Sequence, residues 1–171
     1  MQRPQPDEYN SFYERYISLV PSGDVVAALT AQWTKTAGLL MGLPEERGSH
    51  RYAPGKWSVK EMVGHMIDTE RIMSYRAMRI ARGDATPLAG FEQDDYVRNA
   101  NFDGEKLVGL VDEFAAVRRS TTLLFEHMHA DACIRRGVAN NNPISVRALA
   151  WIIAGHELHH RAILEQKYLA G

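Results

Sequence analysis

Four long segments of this chain repeat apolar residues at helical spacing, and each opens on its own start signal. Every such stripe must be buried against something, and in the absence of strand patterns the partner is another helix. The first segment opens at Asp24 as N-cap and carries Val25, Leu29, Trp33, Thr36 and Leu40 until Pro44 stops it. The second opens at Ser58, where Ser58-Val59-Lys60-Glu61 fits the capping box, and runs to about Arg82 before Gly83. The third opens at Asp103 and passes Leu107, Leu110, Phe114, Val117, Thr121 and Leu124 to about Met128; the fourth runs from Ser145 to about Leu169. A shorter stripe of Tyr9, Phe12, Tyr13, Tyr16, Ile17 and Val20, closed by Pro21-Ser22-Gly23, predicts an N-terminal helix on the outside of the bundle.

The connections bear on topology. About twenty residues, Asp84 to Phe102, separate the second stripe from the third, a length that suits a crossover connection in a four-helix bundle or a contribution to a site. Gly137 to Pro143 contains Asn140-Asn141-Asn142-Pro143, a turn signal, and no sheet is expected. One all-α domain over residues 1–171, with its core at about 24–169, is the reading that follows. Twenty Lys and Arg against 21 Asp and Glu supply no broad positive field, which argues against a nucleic-acid partner. The longest apolar run, Ala148 to Gly155, is far below a membrane span, and the N-terminus lacks an apolar targeting core. With Cys133 as the single cysteine, no internal disulfide can form, and a reducing, cytoplasmic setting is expected.

Seven histidines against one cysteine are the conspicuous entry in the composition. His156 and His160 are four residues apart on the fourth stripe, on one helix face among Leu149, Ile153, Ile163 and Leu164. Two inward imidazoles need partners and cannot both be protonated, whereas one divalent cation satisfies both. Residues at i and i+4 are close enough to share an ion at zinc-like bond lengths. A third ligand has to come from another helix, and His65, at the margin of the second stripe beside Met62 and Thr69, is in position; a hydrogen-bonded structural histidine is the competing reading there. Three neutral histidines would leave positions for water or substrate, the open pattern of catalytic metal sites. His159 stands nearer the stripe's edge as an alternative ligand or a donor to one, while His127 and His129 read as helix-end caps and His50 as solvated.

His156-Glu157-Leu158-His159-His160 also satisfies the H-E-x-x-H pattern of zinc metalloproteases. Only eleven residues follow His160, with no histidine and Glu165 as the one carboxylate, so that reading lacks its usual downstream ligand. Glu157 remains a candidate base or a group supporting the ligands. Glu70 lies inside the second apolar face, where a carboxylate needs either an arginine from another helix or contact with the metal's surroundings. Asp68 can orient a ligand imidazole or stay on the solvated face.

Taken in order, Trp57-Ser58-Val59-Lys60-Glu61, Gly64-His65-Met66-Ile67-Asp68-Thr69-Glu70, Gly90-Phe91-Glu92-Gln93-Asp94-Asp95-Tyr96 and Gly155-His156-Glu157-Leu158-His159-His160-Arg161-Ala162-Ile163-Leu164 resemble the DinB-like superfamily, especially its YfiT-like branch. The resemblance spans about residues 24 to 169 and implies a four-helix bundle with a long crossover. It also implies a divalent metal, zinc or nickel, held by a histidine triad that matches His65, His156 and His160, and it implies a homodimer. The family includes thiol S-transferases, a thiol-dependent isomerase, metal-dependent hydrolases and proteins without known turnover. The leading expectation is that the metal activates a low-molecular-weight thiol toward a small electrophile. Hydrolysis with water in the thiol's place, and a metal-binding stress-response protein without turnover, are the alternatives.

Overall fold

Each long stripe forms a helix in the computed structural model, which describes residues 1–169. In chain order the helices are α1 (Glu14–Ile17), α2 (Val25–Met41), α3 (Val59–Ala81), α4 (Gln93–Ala100), α5 (Leu107–Glu126), α6 (Ala130–Cys133) and α7 (Val146–Ile163). A hairpin of β1 (Arg136–Ala139) and β2 (Asn142–Ser145) precedes α7. Three expected N-caps are made: Asp24 accepts from the Ala27 amide, Ser145 from the Ala148 amide, and Ser58 and Glu61 close a reciprocal capping box.

The bundle consists of α2, α3, α5 and α7, with α3 and α2 each packed between α5 and α7. Helices α3 and α5 run parallel: Ser58 meets Asp103 near their starts, and Glu70 meets Arg118 about eleven residues further along each. The connection between them must therefore travel back along the whole of α3, about 34 Å at 1.5 Å per residue, which accounts for its length. That connection is not all loop, since it contains α4, and it is tied down by Leu88, whose amide donates to the Val138 carbonyl at 2.9 Å and whose carbonyl accepts from Asn140 at 2.9 Å.

Two further expectations are corrected. A two-stranded sheet exists, with Arg136 opposite Ser145 and Ala139 opposite Asn142; Asn140 and Asn141 supply the two left-handed turn positions at φ 49° and 61°. Strands of four residues, one holding Pro143, are too short to show alternation. Helix α5 starts at Leu107 and ends at Glu126. Asp103 does not cap it, because its carboxylate accepts from Ser58 Oγ at 2.5 Å and from Arg51 at 2.6 Å, while Glu45 receives the Leu107 amide instead. The fourth stripe stays helical to Tyr168, close to its expected end, with Leu164–Tyr168 as a π turn.

The N-terminal segment packs on α7 from outside the four-helix bundle, as expected, and does so closely. Ile17 is fully buried, and α1 lies against α7 so closely that a Cβ on Gly155 would sit 2.0 Å from the Tyr16 carbonyl oxygen. Only glycine admits that approach. Glu8 pins the segment further by accepting from Ser145 and Arg147. Burial alone would push the Glu8 carboxyl up, but these bonds and the Gln5 amide bring it down to about 2. Covered on this extra side, α7 is buried all round from Ala148 to Glu157, which explains its continuous apolar run. Among the described residues no helix is long and apolar enough to cross a membrane.

Candidate metal centre

The capping box fixes where α3 begins and so places His65 two turns in, facing α7. His156 and His160 come from successive turns of α7. The three imidazoles meet at their Nε2 atoms: His65 to His156 is 3.0 Å and His160 to His156 is 3.1 Å. All three are buried, and their ring nitrogens lie within 4.8 Å of one another. Ligands about 2.1 Å from a common ion are separated by about 3.0 Å in cis octahedral and about 3.4 Å in tetrahedral coordination, so these two separations are close to those of ligands on one divalent ion. A donor set of three imidazoles suits zinc, copper, iron or nickel. Two aromatic rings wall the triad: Trp57 lies 4.7 Å from His65, and Tyr16 lies 5.4 Å from His156.

Burial lowers the pKa of His65 to about 4, and burial followed by repulsion from neighbouring rings and Arg15 holds His156 and His160 well below the ordinary histidine value. The triad is therefore neutral near pH 7, with lone pairs available. The stability consequence follows in sign. A histidine whose folded pKa is depressed binds fewer protons folded than unfolded once pH falls below about 6.5, so metal-free protein should lose stability on acidification. For His65 alone the loss should build up between about pH 6.5 and about pH 4 and amount to roughly 3 kcal/mol. Urea unfolding of metal-free protein across this range checks it, with His65→Ala flattening the slope; a slope unchanged by that substitution would count against a buried neutral His65.

A cavity of about 410 Å³ opens beside His65 and His156, bounded by α1, α3 and the Gly90–Asp94 stretch, and includes Thr69, whose buried hydroxyl has no partner among the described residues. A cleft of about 330 Å³ reaches His160 from the other side, past Trp57 and Met62. Asp94, at the start of α4, borders both. The long connection thus shapes the entrance to the triad.

The other expected site residues lie outside the triad. His159 is half-buried, with its ring 5.3 Å from Tyr16 and 5.1 Å from His160. Asp68 points to Arg71 at 3.6 Å. Glu70 and Glu157 share one partner that the sequence reading did not name: Arg118 donates to Glu70 at 2.9 and 2.6 Å and to Glu157 at 2.6 Å. Glu157 also accepts from Gln32 and Thr36, and Arg118 donates to the Leu29 carbonyl at 2.9 Å. With its carboxylate so engaged, Glu157 is not presented to the triad cavity as a base; the network joins all four bundle helices. Burial works against the Arg118 charge, and Glu70 and Glu157 more than offset it, holding the guanidinium above its ordinary value. The signal for Arg118 was present, since it falls on the buried stripe of α5 between Phe114 and Thr121. His50, expected in solvent, is half-buried with its ring 6.1 Å from Tyr168, while His127 and His129 are exposed.

Known structures share this architecture. YfiT from Bacillus subtilis, described as a probable metal-dependent hydrolase with an unusual four-helix bundle topology, superposes with a TM-score of 0.69 at 14% identity, over 95% of this chain and 89% of that one. A DinB-like protein of Bacillus subtilis, YjoA, gives 0.62 at 17% identity over 86% and 90% of the two chains. A mycothiol-dependent maleylpyruvate isomerase gives 0.65 at 10% identity, over 87% of this chain and 59% of its own. No curated protein sequence matches the chain significantly. The sequence profile of the DinB superfamily matches residues 28–164, which takes in α3, α5, α7 and the whole histidine triad. The chain belongs to the DinB superfamily.

Proposed function

We propose that this protein is a metal-dependent enzyme that activates a low-molecular-weight thiol toward a small electrophile, with His65, His156 and His160 holding zinc or nickel. The observation that carries the proposal is the triad itself: three neutral imidazoles at coordinating separations, open to a cavity large enough for small molecules. A divalent ion held there supplies acidity to a coordinated thiol or water, making an anionic nucleophile available near neutral pH. The protein contributes the rest. Trp57 and Tyr16 exclude water around the imidazoles, and Thr69 Oγ1, one turn from His65 with its donor unused, can take a hydrogen bond from the incoming group or give one to it.

The nucleophile has to be brought in. Cys133 is buried at the end of α6, outside the triad cavity, and burial raises its thiol pKa. A reducing compartment such as the cytoplasm suits a free thiol cosubstrate, and the likeness to a mycothiol-dependent isomerase supports the thiol reading. The likeness to YfiT favours the second reading, hydrolysis with water in the thiol's place.

Zinc- or nickel-loaded protein should conjugate mycothiol, bacillithiol or glutathione to monochlorobimane at least tenfold faster than metal-free protein, and His65→Ala should abolish the difference. Ester cleavage without any thiol would transfer the assignment to hydrolysis. Inactivity of fully loaded protein in both assays would leave a metal-binding protein without turnover.

A further inference from the structure

The triad cavity contains a charge that metal binding does not use. Arg76 lies on the inward face of α3, one turn beyond Met73, and is 3% exposed. Its Nη2 donates to the Ala89 carbonyl at 2.5 Å and its Nη1 to the Met73 sulfur at 3.6 Å, so two of the five guanidinium donors are used, one of them weakly. No carboxylate pairs with it among the described residues. Its neighbours on the same helix differ: Arg71 is paired with Glu113 and Arg79 with Asp84. A buried cation without a counter-charge is costly, and burial accordingly lowers the Arg76 pKa.

The surroundings of Arg76 indicate what it is kept for. It borders the same cavity as His65 and His156, opposite the half-buried Tyr13. Burial raises the Tyr13 phenol pKa, so its O–H remains a donor. Met73, Ile152 and Phe91 supply apolar lining to this cavity, and Thr69, between His65 and Met73 on α3, adds a hydroxyl. At the mouth, Arg15 is exposed and stacks 3.8 Å from the Phe12 ring. Glu92 and Asp94 also border the cavity, but both are exposed and neither bonds Arg76.

We propose that this cavity is a carboxylate subsite: a small organic monocarboxylate places its carboxylate on Arg76 and Tyr13, with its apolar remainder against Met73 and Ile152 and its reactive end toward His65 and His156. The inference rests on the metal-dependent reading of the cavity and names the substrate class for it. A planar guanidinium fork with unused donors matches a carboxylate edge to edge. One buried positive charge balances a monoanion, whereas a phosphate dianion would stay half-compensated and would face Glu92 and Asp94 on its way in.

Calorimetric titration with benzoate, its neutral isostere benzamide and inorganic phosphate tests this on the full chain, both zinc-loaded and metal-free. Both forms should bind benzoate at least tenfold more tightly than benzamide or phosphate. Arg76→Gln should erase the preference for benzoate while leaving benzamide affinity and zinc content unchanged, and Arg76→Lys should keep part of it. Should Arg76→Gln fail to fold, the Arg76 Nε–H resonance of the wild-type protein decides, since it should shift with benzoate and not with benzamide. Unchanged benzoate affinity in folded Arg76→Gln, an unmoved Arg76 resonance, or tighter binding of phosphate than of benzoate would each overturn the proposal. Failure of the metal reading would be seen separately, as wild-type protein that takes up no zinc, and the metal-free titration would still decide the role of Arg76.

Discussion

Zinc should bind at one ion per chain, and His156→Ala should lower its affinity by roughly a hundred- to a thousandfold. That estimate takes one ligand's share of the about 10–16 kcal/mol measured for four-ligand zinc sites. His156 is the most informative position because its Nε2 is the one bonded to both others, at 3.0 and 3.1 Å. His65→Ala and His160→Ala should each lose affinity on the same scale. His159→Ala should retain zinc, since its ring lies beside the triad and contributes no nitrogen to it. His50→Ala and His127→Ala should likewise retain it. Metal analysis after dialysis, followed by competition with a chelator of known affinity, measures all of these. Each triad substitution removes a neutral imidazole and strands no buried charge, so the variants should stay folded, and loss of metal can be read apart from loss of structure. Full zinc occupancy in a variant lacking all three histidines would reject the site.

How early this site can be read from the chain depends on whether its parts are local. The i, i+4 pair of His156 and His160 is fixed by one helix, so periodicity alone places both on one face. His65 could be located only by its margin position and by the resemblance, because the pairing of α3 with α7 is a tertiary fact. Helix starts at Asp24, Ser58 and Ser145 were legible because each cap is made within three residues. The start at Asp103 misled for the opposite reason: Ser58 and Arg51, more than forty residues away in sequence, take up its carboxylate. The same distance problem hid the environment of Glu157. Its place beside the inward stripe was right, but its partners Gln32, Thr36 and Arg118 sit on two other helices and convert a candidate base into a bundle tie. The role of the N-terminal segment turned on Gly155, where the missing Cβ lets Tyr16 reach the triad; a single glycine inside an apolar run gives no sign of what approaches it.

Arg118→Met should destabilise the protein by about 3–5 kcal/mol, the cost typical of breaking a buried ion pair from one side. The arginine is 2% exposed and bonds both Glu70 and Glu157, so its removal leaves two buried carboxylates without their counter-charge and the Leu29 carbonyl without its donor. For a domain of this size, each kcal/mol corresponds to about 2–4 °C, so the melting temperature should fall by roughly 10–15 °C. The cause is separable from lost packing. If stranded charge dominates, the triple variant Glu70→Gln, Arg118→Met, Glu157→Gln should recover most of the stability, because neutral amides and a thioether of similar volume cost far less to bury. Urea unfolding of the three proteins at pH 7.5 checks this, and a single-variant loss under about 1 kcal/mol would mean that the buried network contributes little to stability. Zinc content of the folded variants then shows whether the network also holds α3 and α7 at the spacing the triad needs. A stable triple variant that keeps its zinc would confine Arg118, Glu70 and Glu157 to holding the bundle together, and one that is stable but binds zinc weakly would make them positioning residues for His65 and His156.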